Sequence, residues 1–436
     1  MSKRLKNQAE ILQKLGIEQL NPMQEEAHLA IHSSDNVVLL SPTGTGKTLA
    51  FLLPVIKELS AEVTEIQGLI IVPSRELAIQ IEQVAREMGT GHKINVVYGG
   101  RHISKDFIEL KHLPAILVGT PGRVADHLRR GTFSPNQIKT LVLDEFDKSL
   151  EIGFEEEMHE IVSYLKFLKK RIMTSATLSP YIPKYFGLEK PIYVNYLEEG
   201  VAQLKVKSII SPDKDKLETL FHALCHLGDQ PGIIFCNFKD AIQRISDFLD
   251  EKGIQYGRFY GGLEQKERER TLIKFRNGTY RLLLATDLAA RGIDVPEIKF
   301  IIHYHLPSRR EEFIDRNGRT ARMHNDGTAY VLHWAEDTLP DFIGKLQEEV
   351  LTKVPTPAAT GWTTLFISGG RKDKISKGDI AGLFFGQGEL KKGEVGIIEL
   401  KQDCAFVAVP TAKVKHLIAT LNNGRIKKRK IRVTEI

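Results

Sequence analysis

The segment SPTGTGKT (41–48) carries the residue types that hold a polyphosphate. Gly44 and Gly46 let backbone N–H groups approach phosphate oxygens, and a helix opening just after them adds its positive dipole end. Lys47 can reach terminal phosphates, and the Thr48 hydroxyl can hold Mg²⁺. The strict GxxxxGK[ST] pattern fails at its first position, Ser41. A second group, Asp144-Glu145-Phe146-Asp147, closes the apolar run TLVLDE (140–145). Mg²⁺ is a hard cation that takes carboxylate oxygens, phosphates and water, which suits Asp144. Glu145 is suited to orient water for attack on a γ-phosphate. Charge developing in that attack needs a cation. FIDRNGRTAR (313–322) offers Arg316, Arg319 and Arg322 at a spacing that reads as one helical face. Each feature alone has a bland alternative: a chance GKT, an acidic loop start, an ordinary basic helix. Their combination points to nucleoside triphosphate hydrolysis that requires two domains to close.

Short apolar runs must position these groups. In the first half they are 36–40, 68–72, 94–98, 115–120, 140–145 and 171–177. Near-continuous Val/Ile/Leu runs suit strands buried on both faces of a parallel sheet. Amphipathic stretches such as RELAIQIEQVAREM (75–88) lie between them, giving a doubly wound α/β pattern. The pattern restarts with 232–237, 254–261, 281–287, 299–306 and 327–333, so a boundary is expected near 200–210. TKVPTPAATG (352–361) reads as a linker. Beyond it, four strand-like runs and the helix-like VKHLIATLN suggest a small α+β domain. Ligands of open parallel sheets bind at the carboxyl ends of the strands, and the chemically suggestive residues fall there.

A length of 436 residues suggests two to four domains. The 42% hydrophobic and 27% charged content fits a globular protein. No apolar run reaches the roughly 18–20 residues that span a bilayer. MSKRLKNQAEIL has no apolar h-region, so a cytoplasmic protein is expected, with Cys225, Cys236 and Cys404 as reduced buried thiols. The net charge is +6, but residues 362–436 hold 15 Lys/Arg against 7 Asp/Glu, so the excess sits in the last domain. That is an electrostatic footprint for a polyanion.

Over about residues 11–350 the ordered motifs resemble DEAD-box RNA helicases. GIEQLNPMQ (16–24) is similar to the Q motif, SPTGTGKT to motif I and PSRELA (73–78) to the family's PTRELA. Gly99-Gly100 is similar to the GG element, TPGR (120–123) to motif Ib, DEFD to motif II and Ser175-Ala176-Thr177 to motif III. IIFCN resembles motif IV, Gln265 and Arg268 the QxxR pair, ATDLAARGIDV (285–295) motif V and DRNGRTAR motif VI. Residues 362–436 resemble the DbpA-type RNA-binding domain. The resemblance implies two tandem RecA-like parallel-sheet domains (1–203 and 204–351), the linker (352–361) and a small RRM-like α+β domain (362–436).

It also implies roles. Lys47, Asp144, Glu145, Arg319 and Arg322 would be catalytic. Gln24, Thr43, Gly44, Thr45, Gly46, Lys47, Thr48 and Asp294 would hold ATP, with Thr48 and Asp144 on Mg²⁺. Asp147, Ser175, Thr177 and Asp315 would couple hydrolysis to closure. Pro73, Ser74, Arg75, Gly100, Thr120, Arg123, Gln265, Arg268 and Thr286 would line the RNA backbone. In the last domain Arg371, Lys372, Arg425, Lys427 and Lys428 would meet RNA phosphates, and Phe366 and Phe406 occupy positions for base stacking or core packing. The expected partner is structured RNA, ribosomal RNA and pre-ribosomal particles in particular; no membrane partner is expected. The competing readings are an RNA clamp with weak ATPase and a DNA-directed helicase.

Three departures stand out. No aromatic residue precedes Phe51 to stack on adenine, Phe146 replaces the motif II Ala, and Asp315 replaces the motif VI His. Phe146 and Asp315 are expected to alter communication between the domains rather than abolish hydrolysis.

Overall fold

The computed structural model describes residues 7–151, 153–177, 181–197, 204–287, 298–320 and 327–436. The described residues up to 197 form one compact unit and those from 204 onward a second.

The first unit is built on seven parallel strands: β1 (Asn36–Leu40), β2 (Gly68–Ile71), β3 (Ile94–Val97), β4 (Ile116–Gly119), β5 (Thr140–Leu143), β6 (Lys170–Ser175) and β7 (Ile192–Asn195). Their order is β3-β4-β2-β5-β6-β1-β7, with every pairing parallel. Alternate residues feed two apolar clusters. Val37 and Leu39 enter one, and Val38 and Leu40 the other. Side chains on a strand alternate faces, so both faces of this sheet are covered, as the apolar runs require.

The second unit repeats the plan with β8 (Lys205–Ser211), β9 (Gly232–Phe235), β10 (Tyr256–Phe259), β11 (Leu282–Ala285), β12 (Phe300–His303), β13 (Thr328–Trp334) and β14 (Gln347–Glu348). The order is β10-β11-β9-β12-β13-β8-β14, again all parallel. Strands β7, β8 and β14 were not among the apolar runs. Ile192 and Tyr193 of β7 are exposed, and β8 mixes Lys and Ser with Ile, so neither reads as a buried strand.

The same unit carries a third, antiparallel sheet of β15 (Trp362–Ile367), β16 (Ile398–Leu400), β17 (Ala405–Pro410) and β20 (Val433–Glu435), in the order β16-β17-β15-β20. A separate hairpin pairs β18 (Arg425–Ile426) with β19 (Arg429–Lys430). The helices Lys377–Gly386 and Val414–Leu421 pack on one face of the sheet, burying Leu365, Ile367, Val407 and Val433 against Phe384 and Leu417. The first of these helices has no clear apolar period and escaped the sequence reading. Residues 352–361 have no regular structure but lie against the second parallel-sheet domain. Pro357, Ala358 and Thr360 line a small cavity with Leu224, Gly228 and Arg281, and the Thr352 hydroxyl lies 2.8 Å from His226 Nδ1.

Candidate active site and RNA interface

In the first unit the motifs sit at the carboxyl ends of the strands, as parallel sheets favour. The phosphate loop follows β1, DEFD follows β5, and Ser175-Ala176-Thr177 ends β6, which lies between them. PSRELA, Gly99-Gly100 and TPGR follow β2, β3 and β4, which fill the other side of the sheet. Strand order therefore separates the phosphate loop and the acidic motif from the three motifs expected to line RNA.

The phosphate loop is braced from below and from the side. The Ser41 N–H donates to Ser175 O at 3.0 Å, joining the loop to β6. The Ser41 hydroxyl donates to Thr45 Oγ1 at 2.7 Å, so this departure from the strict pattern serves as a strut within the loop. Gly46 has φ 88, and a Cβ there would collide with the Gln24 amide nitrogen. That nitrogen donates to Gly46 O at 3.2 Å, while Gln24 Oε1 accepts the Asn21 N–H at 3.0 Å. The Asn21 side chain in turn donates to Thr45 O at 3.0 Å. Asn21 and Gln24 form a capping box behind Pro22, which starts the Pro22–Ser33 helix. One helix cap thus clamps the loop, and both ends of the Gln24 amide bond within the protein. Lys47 begins the Lys47–Lys57 helix, and its ammonium donates to Ser41 O at 2.5 Å and Pro42 O at 2.8 Å.

Asp144 is 2% exposed and accepts a hydrogen bond from the Thr174 hydroxyl. Burial pushes its carboxyl up from the ordinary value, against the Thr174 bond and the Lys47 charge. Glu145 sits in the left-handed region at φ 50, which costs an L-residue about 1–2 kcal/mol. Its N–H donates to Thr174 Oγ1 at 3.3 Å. Asp147 Oδ2 accepts from the Thr177 hydroxyl at 2.7 Å, and the Ser175 hydroxyl donates to Thr177 O at 2.7 Å. The end of β5 and the end of β6 are tied together through these bonds.

Phe146 is 1% exposed and packs in the apolar cluster with Leu143, Met158 and Phe186. Its ring fills the core of its own unit.

Arg123 donates from Nη1 to Asp106 Oδ2 at 2.8 Å and from Nη2 to Arg101 O at 2.8 Å. Arg101 Nε donates to the other oxygen of Asp106 at 2.5 Å. His127 Nε2 lies 3.1 Å from Asp106 Oδ2, and its Nδ1 lies 3.2 Å from the Thr132 hydroxyl. Burial raises the Asp106 carboxyl, but His127, Arg101 and Arg123 outweigh it and hold the group below its ordinary value. Gly100, at φ 83, brings the backbone against the Arg75 guanidinium, so three arginines gather where β2, β3 and β4 end.

In the second unit Arg316 is 2% exposed. It donates to Asp287 through Nε at 2.5 Å and Nη2 at 2.6 Å, to His305 O at 2.5 Å and to Asn237 Oδ1 at 2.8 Å. Arg316 therefore ties together the ends of β9, β11 and β12. The helix carrying it runs Arg310–Asn317 and is capped at Gly318. Arg319 lies beyond that cap, so Arg316 and Arg319 do not share a helical face: the helix ends at Asn317. Asp315 lies within the helix and is half-buried.

In the last domain the two basic runs meet. Lys427 donates to Lys374 O at 2.7 Å and pairs with Asp379 at 2.7 Å, and Arg429 lies 3.6 Å from Asp373. Lys372, Lys374, Arg425, Lys428, Lys430 and Arg432 are exposed around this junction.

Residues 21–184 match the DEAD/DEAH box helicase family, 215–324 the helicase conserved C-terminal domain and 364–435 the DbpA RNA-binding domain. The chain is 31% identical to the ATP-dependent RNA helicase DbpA of Escherichia coli, over 97% of this chain and 95% of that protein. It is 29% identical to the DbpA of Bacillus subtilis, over 97% and 96%. The chain belongs to the DEAD-box ATP-dependent RNA helicases. Its fold agrees: Dbp5 of S. cerevisiae, solved bound to RNA and ADP BeF3, superposes with a TM-score of 0.67 at 27% identity, covering 75% of this chain and 88% of that one. The helicase uses ATP and binds RNA, and its activity is RNA unwinding coupled to ATP hydrolysis. No helix among the described residues is long and apolar enough to cross a membrane.

The helicase's loop residues Thr43, Gly44 and Thr48 lie with Lys47 after β1. Pro73, Ser74 and Thr120 follow β2 and β4, Ser74 and Thr120 at helix N-caps. Thr286 follows β11, and Gln265 and Arg268 lie in the first turn of the Gln265–Arg276 helix. Arg371 and Lys372 open a short 3₁₀ turn after β15. Asp294 and Arg322 lie outside the described residues. Phe406 is 5% exposed and meets Phe366 edge-on at 5.7 Å, in a face covered by the helicase's own second domain. Of the two readings left open for Phe406, base stacking and core packing, this burial favours packing. Cys225 and Cys236 are buried as expected, but Cys404 is only half-buried.

Sequence reasoning missed Asp106, Arg101, His127, Asn21 and Thr174. Only Asn21 left a signal, the Asn-Pro-x-Gln start of a capped helix.

Proposed function

We propose that this helicase remodels structured ribosomal RNA during ribosome assembly in the cytoplasm. The observation that carries the reading is the joining of segments 371–374 and 425–432 into one basic edge on the DbpA-type domain. Such an edge binds phosphates with little sequence preference and tethers the helicase core near a duplex, raising its local concentration there. The resemblance of this domain to the DbpA type implies ribosomal RNA as the tethering site.

In the core, Lys47 takes the terminal phosphates after leaving its loop carbonyls, and Gln24 reads the adenine edge while linking the base to the phosphate loop. Glu145 orients the attacking water. Arg319 and Arg322 offset charge in the transition state, and Asp294 meets the ribose. The Thr48 hydroxyl and the Asp144 carboxylate are hard oxygen donors of the kind Mg²⁺ takes. They would hold that ion, which offsets phosphate charge when bound. Arg75, Arg123, Arg268 and the small residues Gly100, Thr120 and Thr286 grip the RNA backbone. The Asp147–Thr177–Ser175 bonds carry the nucleotide state to the domain that closes.

Crosslinking the full chain to cellular RNA with site mapping tests the target. Crosslinks concentrated at a few ribosomal RNA helices are expected; crosslinks spread evenly over messenger RNA would remove the ribosomal reading.

A further inference from the structure

The antiparallel sheet has one face under its two helices and one face turned the other way. On the second face Glu399, Phe406, Phe366 and Thr434 form one cross-strand row, with Thr364 and Ala408 in the next. Directly opposed residues share a face, so the row is a continuous surface. An open face of this kind would be wet, yet Thr364 is 0% and Ala408 1% exposed.

The cover comes from the Gln265–Arg276 helix and the residues after it. Arg276 grips Glu399 in a two-pronged pair, Nε to Oε1 at 2.6 Å and Nη2 to Oε2 at 3.0 Å. Glu269 pairs with Lys401 at 2.8 Å. The Thr279 hydroxyl meets the Thr364 hydroxyl at 2.8 Å, and Asn277 Nδ2 donates to it at 3.4 Å. Glu269 and Arg276 are two helical turns apart and lie on one stripe, and Gln265 lies on that stripe one turn earlier. At its start the helix also rests on the parallel-sheet domain, where the Arg268 guanidinium lies over the Phe259 ring at 4.8 Å. Its buried residues are Leu272, Ile273 and Phe275, all in the second half.

We infer that this sheet face is an internal docking surface for the Gln265–Arg276 helix, and that the docking positions Gln265 and Arg268 toward the RNA backbone. The inference rests on the RNA-contacting role proposed for that pair. Arg276 and Glu399 are positioning residues that act through the helix they hold. The last domain then serves the core even on RNA that lacks its own target.

The test uses the full chain and a short unstructured single-stranded RNA, read as RNA-stimulated ATPase. R276E and E399R are each expected to raise the half-saturating RNA concentration about tenfold, the scale of one half-buried charge-assisted pair. The ATP KM and the rate at saturating RNA should stay within about twofold, and R276E/E399R should recover most of the loss. E399R is the decisive arm. It adds a cation, so simple electrostatics predicts tighter RNA binding, whereas a docking surface predicts weaker. An unchanged or lower half-saturating concentration for E399R overturns the inference. So does a double variant that melts like the parent without recovering RNA affinity. R268A in the same assay separates the two readings: unchanged RNA dependence there removes the role of the pair itself, while R268A weak and E399R normal removes only the docking role.

Discussion

Arg123 and Asp106 form an ion pair at 2.8 Å although seventeen residues separate them in the chain. Asp106 is fully buried and also takes Arg101 and His127, so one carboxylate fixes the two guanidinium groups between β3 and β4. Asp106→Asn keeps the shape and removes the charge. It should lower unfolding stability by about 1–3 kcal/mol and raise the half-saturating RNA concentration severalfold, with the ATP KM unchanged. Urea melts beside RNA titrations of the ATPase check this. An altered ATP KM with normal RNA dependence would contradict it.

Lys47→Ala should reduce ATP turnover by at least about a hundredfold, the scale of one preorganised charge at a transferring phosphoryl group. Glu145→Gln should do the same by leaving the water unoriented. Both sites lie in the first unit and the basic edge lies in the second, so the full-length variants should bind structured RNA at near-parent affinity. Filter binding measures it. A parallel loss of RNA affinity would show that the phosphate loop is needed for the tether.

Arg316→Ala should behave as a stability variant. It leaves Asp287 without its bidentate partner and removes bonds to His305 O and Asn237. Breaking one side of a buried pair costs about 3–5 kcal/mol. The melting transition of the second unit should fall, and residual ATPase should track the folded fraction across temperature. Full folding with lost turnover would instead make Arg316 a group that acts on ATP.

Much of this was legible because buried parallel strands announce themselves as Val/Ile/Leu runs, and because motif residues cluster where such strands end. Two edge strands were silent, since β7 exposes Ile192 and Tyr193 and β14 is only Gln347–Glu348. Asp106 sits in an ordinary charged helix, and only tertiary folding brings Arg123 and His127 to it. Phe366 and Phe406 illustrate the opposite limit. Their strand positions were readable, but what covers their face depends on Arg276, far away in the chain. Asn317-Gly318 was a readable helix stop, and it outweighs the spacing of Arg316 and Arg319.

Acid should unfold the second unit first, and His303 is the main reason. It is fully buried between Phe313 and Phe235, with Nε2 2.8 Å from Asn317 Oδ1. Burial and the Arg316 charge push its pKa down to about 3. His305 is lowered to about 4 by burial, Lys216 and Arg316. Both folded values lie below the unfolded value of about 6.5, so the unfolded chain binds these protons more readily. Stability from these groups is therefore complete above about pH 6.5 and drains away as pH falls toward the folded values. Each group contributes a slope of up to about 1.4 kcal/mol per pH unit. The chain's two tryptophans, Trp334 and Trp362, both belong to this unit, so their fluorescence reports its urea midpoint. That midpoint should hold steady from pH 8 to 7 and drop between pH 6 and 5. His303→Phe, which cannot be protonated, should flatten the drop by about half if the two histidines share it equally. An unchanged slope in that variant would assign the acid sensitivity to other groups.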